Sequence, residues 1–459
     1  MVWGEVFSRF LQESPVAVMV GALMEHVLAP QKIDGIFSRT ARVQYERELL
    51  FSTMVDLMSE VVCGVRPSVN AAYRRKKQQQ EIAVSLRALY SKLSGVEPAV
   101  NRALVRETAA QMAEVVRHLG GAAAPLLPGY RVKILDGNAL AATERRLKET
   151  RASTAGPLPG KALVVLEPEL GLLSDVFCCE DGHAQERSLL PQVRQTVESG
   201  DLWIADRNFS TAGFLFALHE RGAAFVIRRH GKLACEEVDE LRFCGAVKGA
   251  EVFEQTVLVR DEAGRMLHLR QVVVRLEKPT REGETELRIL TNLPAEAADA
   301  LTVAQLYRKR WRIEGAFHAL SETLQSEIKT LAYPPAALLG FCVGLVSFNL
   351  FAVVKAALRS AYGEDVVEQE ISTYYLTDEI AGTHRGMRIA IAQAEWAVFH
   401  QISTEEMANL LWEWAGTIDL SLYRKSKRGP KKPRPPRPNN PKQPHVSTAR
   451  LLAERRRKS

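Results

Sequence analysis

The sequence predicts an α/β fold, and three observations carry that prediction. Residues 1–125 place apolar side chains at helical spacing. Residues 126–360 alternate short apolar runs with amphipathic stretches, and residues 361–422 return to helical spacing. A β-rich insertion at about 230–293 interrupts the second part, and a Pro-rich basic tail, 423–459, follows the last helices.

The helical segment is most legible where Leu49, Leu50 and Phe51 lead into Met54, Leu57, Met58 and Val61. Further helices are expected over 82–93 and 98–119, with a basic patch, Arg74-Arg75-Lys76-Lys77, before them. Gly120-Gly121 and Pro128-Gly129 mark the first boundary. Beyond it, 131–136, 161–167, 173–179, 202–206 and 224–227 read as strands, and 186–198 and 212–221 as helices. Three more strands, 251–260, 266–276 and 287–293, make up the insertion, and a long helix is expected over 302–324. Residues 335–354 carry no charge, near the length of about 20 residues that spans a bilayer. Ser347, Asn349 and the Pro334-Pro335 start favour a buried core helix there.

A hydrophobic content of 46% with 25% charged residues excludes a globally disordered chain. The net charge of +7 is unevenly spread: residues 423–459 carry 14 basic residues and one acid, which leaves the rest acidic by 6. Such a tail suits salt-sensitive, sequence-independent phosphate contact, through Lys431 and Lys432 among others; its seven prolines predict disorder. The six cysteines show no CxxC spacing, so neither a disulfide framework nor a structural zinc site is expected. Cys178-Cys179 beside His183 alternate on a strand and read as core cysteines, and Glu180-Asp181-Gly182-His183 with Glu186 reads as a polar loop and cap. The N-terminus has no basic n-region followed by an apolar h-region.

Chemistry is suggested by three acids. Asp136 and Asp206 each follow an apolar strand, at the end of an open sheet where ligands gather. An Asp-Gly pair such as Asp136-Gly137 also makes an ordinary turn. Tyr307, Arg310, Glu314 and His318 recur at spacings of three and four, which lines them along one helix face. That face could be an exposed ion pair, but Trp311, Ile313, Phe317 and Leu320 on adjacent faces argue for a helix packed on the core. Three gathered carboxylates repel unless a cation neutralises them, and oxygen-only donors select a hard divalent ion: Mg²⁺, with Mn²⁺ able to substitute. Two ions about 3.5–4 Å apart can serve phosphodiester chemistry; Asp136 would bridge both, with Asp206 and Glu314 holding one each.

Tyr307-Arg-Lys-Arg310-Trp-Arg-Ile-Glu314, with Leu135-Asp136-Gly137 and Ala205-Asp206-Arg207-Asn208-Phe209, resembles bacterial insertion-sequence transposases of the DDE type. The resemblance is to the insertion-sequence-four group, whose signature is Tyr-x2-Arg-x3-Glu and, after six intervening residues, Lys. It covers roughly residues 40–360 and includes the β insertion. It implies an RNase-H-like catalytic domain and a DNA transposase that hydrolyses and transesterifies phosphodiesters, with Asp136, Asp206 and Glu314 as the acidic triad. It also implies that Tyr307 and Arg310 contact the phosphate backbone and that the N-terminal domain, including Arg74, Arg75, Lys76 and Lys77, recognises DNA ends. The implied partners are terminal inverted repeats, target DNA and a second copy in a synaptic homodimer; the implied setting is the bacterial cytoplasm and nucleoid, without a membrane. Two positions depart from the pattern: Ser321 stands where the signature Lys belongs, and no Trp lies between Trp203 and Trp311 to hold a flipped base. A metal-dependent nuclease without strand transfer, or a non-catalytic DNA-binding derivative, are the alternatives.

Overall fold

A computed structural model describes residues 3–45, 47–280, 283–322, 324–426, 429 and 445–458. The N-terminal part is helical: α1 (Glu5–Glu13), α2 (Pro15–Val27), α3 (Pro30–Thr40), α4 (Phe51–Val62), α5 (Val69–Gln78), α6 (Leu86–Leu93) and α7 (Pro98–Leu119). Ser68 and Ser85 cap α5 and α6 through their hydroxyls, and Pro15, Pro30 and Pro98 open α2, α3 and α7 where no helical N–H is needed.

The sheet begins with β1 (Arg131–Ala139) and, after α8 (Lys148–Arg151), continues through β2 (Gly156–Leu158), β3 (Lys161–Glu167) and β4 (Leu172–Cys179). Then come α9 (Leu190–Arg194), β5 (Asp201–Ala205), α10 (Ala212–Glu220) and β6 (Ala224–Arg228). The insertion supplies β7 (Glu236–Glu237), β8 (Arg242–Val247), β9 (Ala250–Arg260), β10 (Met266–Leu276) and β11 (Glu286–Thr291). One sheet runs β4-β3-β1-β5-β6-β11-β10-β9-β7, with β8 also on β9. β1, β5 and β6 are parallel neighbours, and the other pairings along this path are antiparallel. The insertion therefore extends the central sheet through β11 on β6. This mixed α/β architecture is consistent with an RNase-H-like transposase domain.

The central strands are apolar on both sides because both faces are covered. Ile134, Val164 and Ile204 join a core shared with α7 and the C-terminal helices, while Leu135, Leu163 and Trp203 point to a second core with α10. Downstream lie α11 (Ala300–Arg308), α12 (Trp311–Glu322), α13 (Pro334–Tyr362), α14 (Glu364–Glu370), α15 (Thr373–Ala390), α16 (Gln393–Ala397) and α17 (Thr404–Ala415). Among the described residues, α13 is the one helix long and apolar enough to cross a membrane, and most of it is buried in the protein. Asn349 shows why it sits there: its side-chain amide exchanges two hydrogen bonds of 2.8 and 2.9 Å with the Leu173 backbone in β4. Gly121, just after α7, lies so close to the Ala356 carbonyl of α13 that a Cβ would collide with it. Cys178 and Cys342 meet in this core with their sulfurs 3.6 Å apart.

Three expectations need correction. The helix expected over 302–324 is broken: α11 stops at Arg308 and α12 starts at Trp311, with the Arg310 N–H turned back on the Tyr307 carbonyl at 3.1 Å. No Pro or Gly marks this break, and Arg310 is drawn inward by acids on both sides, as described below. The helix expected over 186–198 is a 3₁₀ turn (Glu186–Leu189) followed by the short α9. Finally, part of the tail expected to be disordered is ordered. Residues 445–458 form β12 (His445–Ser447), which pairs in parallel with β2, and α18 (Thr448–Lys458). Ser447 and Thr448 are buried, and Arg450 and Arg455 pair with Asp181 and Glu149. Segment charge alone did not show that these acids stand opposite. Lys431 and Lys432 lie outside the described residues, as does the Ser321 side chain.

His384 on α15 is 3% exposed, and its Nδ1 has no hydrogen-bond partner. Burial, with Arg388 adding repulsion and Glu25 opposing, pushes its pKa down to about 3. A depressed histidine contributes stability that is full above its unfolded value near 6.5 and is lost as pH falls toward 3. From this group alone the protein should lose about 2 kcal/mol between pH 6.5 and 5. Urea denaturation of His384→Leu beside the unaltered protein checks it; identical pH slopes would refute the assignment.

Candidate active site

β1 and β5 run parallel with Ile134 opposite Ile204 and Leu135 opposite Ala205. One step further along this register stands Asp136 beside Asp206, just past the end of β5. Strand alternation puts Asp136 on the same face as Ile134, the face that α12 covers with Ile313, Ala316 and Leu320. That packing brings Glu314, one residue from Ile313, above the strand ends. Trp311 does not join the core: it is 61% exposed at the start of α12. It was expected to pack because it neighbours apolar positions, but the break turns it outward.

Arg310 links the acids. Its Nη1 donates to Asp136 Oδ2 at 2.6 Å and its Nη2 to Glu314 Oε1 at 2.8 Å. The residue is 9% exposed, and its Nε is buried without a hydrogen-bond partner. Asp206 caps the following 3₁₀ turn, Oδ1 accepting the Asn208 N–H at 2.7 Å, and Asp136 Oδ1 accepts the Gly137 N–H at 2.9 Å. Burial pushes the Asp136 carboxyl up to about 6, against the pull of Arg310 and the Gly137 N–H, and the negative charges of Asp206 and Glu314 raise it further. Asp206 and Glu314 thus lie near enough for their charges to act on Asp136. Arg310 is held in its charged form by Asp136, Tyr307 and Glu314 despite burial. Both pKa values thus rise: the pair favours the charged form of Arg310, while desolvation of the Asp136 carboxylate outweighs the pair there. Tyr307 is 6% exposed at the end of α11; burial raises its hydroxyl pKa, and Arg310, Arg228 and Asp206 act on it.

Several residues at the site were not singled out from the sequence. Glu186, read as a loop and cap residue, accepts from Asn208 Nδ2 at 3.2 Å, and a Cβ on Gly137 would collide with its carboxylate. Glu186 therefore lies against Gly137, the residue after Asp136, and the missing Cβ is what lets it approach. Arg207 and Arg228 both pair with Glu284, Arg207 at 2.8 Å, next to Asp206. Only the identity of Arg207, adjacent to Asp206, gave any sequence signal. His318 is exposed on α12.

The donor set is all oxygen, which fits a hard divalent cation in kind. Among the described residues, no three His, Cys, Asp or Glu side chains converge as a ready-made ligand set. In this conformation it is the Arg310 guanidinium that joins Asp136 to Glu314.

The N-terminal cations are placed differently from one another. Arg74 and Arg75 are exposed on α5. Lys76 is enclosed by Asp56 at 2.5 Å and Glu81 at 3.0 Å, which raises its pKa, while Lys77 donates to the Ala83 carbonyl at 2.6 Å.

Residues 128–337 match the family model described as a transposase DDE domain. Asp136, Glu186, Asp206, Tyr307, Arg310 and Glu314 all fall within that span. The match supports a DDE transposase, a nuclease-type enzyme acting on DNA. No curated protein matches the chain.

Proposed function

We propose that this protein is a DNA transposase of the insertion-sequence-four group, which cleaves element ends and transfers the strand into target DNA. What supports this reading is that Asp136 and Asp206 stand at the ends of two parallel strands, with Arg310 tying Asp136 to Glu314, inside the matched span. Divalent ions, Mg²⁺ or Mn²⁺ and two in number, when bound there would activate a water or a 3′-hydroxyl and stabilise the leaving oxygen. Asp136 would be the shared carboxylate in this reading, with Asp206 and Glu314 holding one ion each. Tyr307 and Arg310, beside the acids, are suited to hold the phosphate next to the scissile bond, and Arg207 and Arg228 extend the positive charge past Asp206.

Arg74, Arg75, Lys76 and Lys77 serve DNA-end contact in this reading, led by the exposed Arg74 and Arg75; Lys431 and Lys432 add salt-sensitive phosphate binding. A homodimer would bring two element ends together, in the cytoplasm and near the nucleoid.

The test incubates the full chain with Mn²⁺, supercoiled target and DNA from the flanks of its gene, beside Asp206→Ala. Joined products that vanish in the variant are expected. Nicking without joining would reduce the reading to a nuclease. Neither product, with salt-sensitive DNA binding intact, would overturn the enzyme reading.

A further inference from the structure

Arg310 is built as an exchangeable part. It lies between helices instead of within one: α11 has ended at Arg308, and α12 is only starting at Trp311. Its backbone is held by two four-residue turns, the Arg310 N–H on the Tyr307 carbonyl at 3.1 Å and the Ile313 N–H on the Arg310 carbonyl at 3.2 Å. Its side chain is committed to the two oxygens, Asp136 Oδ2 and Glu314 Oε1, that a cation in this site would need. A guanidinium presents five donors, yet the buried Nε finds no acceptor here. The arginine thus neutralises the acids without a full set of partners, which leaves it able to gain contacts elsewhere.

We propose that Arg310 is an internal counter-cation that trades places with the divalent ions, so that metal loading and DNA phosphate binding strengthen each other. The proposal rests on the reading that Asp136, Asp206 and Glu314 hold divalent ions. A phosphate offers the guanidinium two oxygens in matching geometry and draws it off Asp136 and Glu314. The carboxylates it leaves become ligands of higher charge. In the opposite direction, carboxylates engaged by a metal release Arg310 toward a phosphate. Coupling of this kind is reciprocal, so either ligand must raise the affinity of the other by the same factor. Without DNA, the arginine keeps the acids paired and holds metal affinity down.

The test reads Mn²⁺ binding directly, by calorimetry and by the loss of the free-ion paramagnetic resonance signal, on the full chain. The probes are Mn²⁺ alone and Mn²⁺ with a short DNA duplex. The unaltered protein should bind Mn²⁺ about 5- to 10-fold more tightly with the duplex present. Arg310→Gln should bind Mn²⁺ about tenfold more tightly than the unaltered protein without DNA, and the duplex should then add nothing. Arg310→Lys, which keeps one charge but cannot span both carboxylates, should fall between. Mn²⁺ binding that Arg310→Gln leaves unchanged or weakens overturns the exchange while the metal reading stands. No Mn²⁺ binding by either protein overturns the metal reading and the exchange with it. Should Arg310→Gln fail to fold, the duplex effect in the unaltered protein still decides: its absence refutes the coupling.

Discussion

Asp206→Asn should give a folded protein in which strand cleavage and joining fall by on the order of 10³-fold or more. Asparagine is the informative replacement because its side-chain oxygen can still accept the Asn208 N–H, the bond that shapes the turn after β5. The turn survives and the negative charge does not. Stability should stay within about 1 kcal/mol of the unaltered protein, since Asp206 accepts from its own turn and the pair to Arg310 belongs to Asp136 and Glu314. Single-turnover cleavage of an end-containing duplex, read beside a urea melt, separates the two quantities. An Asp206→Asn protein within tenfold of full activity would remove Asp206 from the acid triad.

Asp136→Asn should be inactive and, above pH 7, more stable than the unaltered protein by about 1–3 kcal/mol. The Asp136 carboxyl rises from 3.8 to about 6 because burial dominates, Arg310 and the Gly137 N–H only partly offsetting it. The folded state then holds this proton more tightly than the unfolded state does. Stability from this group is therefore fully present below the unfolded value near 3.8 and is lost as pH rises through about 6. The full change corresponds to about 3 kcal/mol, and the weakened Arg310 pair in the variant takes back part of it. Activity has the opposite requirement, since the carboxylate must be ionised to hold a divalent ion. Urea midpoints of both proteins at pH 5 and pH 8, in chelator, isolate the difference from other groups such as His384. A variant less stable at pH 8 would show that the Arg310 pair outweighs burial.

A good deal of this site is legible in the sequence, for identifiable reasons. Asp136 and Asp206 end runs of apolar residues that both sheet faces demand, so the strands announce their own ends. Residues 161–167 and 266–276 stand as β3 and β10 with those bounds, since turn-forming residues flank each. The break at Lys309-Arg310 is not legible: Tyr307, Arg310 and Glu314 keep helical spacing, and only the tertiary pull of Asp136 on Arg310 competes with it. Trp311 reads as core by composition and is exposed because of that break. Glu186 is invisible for another reason. Its contacts run to Gly137 and Asn208, across distances in sequence that no local pattern records. The docking of 445–458 depends likewise on Glu149 and Asp181 being opposite, a fact of topology and not of charge count.

The pairing of β12 with β2 also sets an order of events during synthesis. Residues 156–158 are made well before their only strand partner among the described residues, 445–447. At roughly 5–20 residues per second the wait is on the order of half a minute. During that interval the excursion between β1 and β3 lacks its last layer, while the sheet below it can already form. That excursion is therefore completed after the sheet, and a ribosome-bound chain would hold an assembled sheet before it holds the β2–β12 pair.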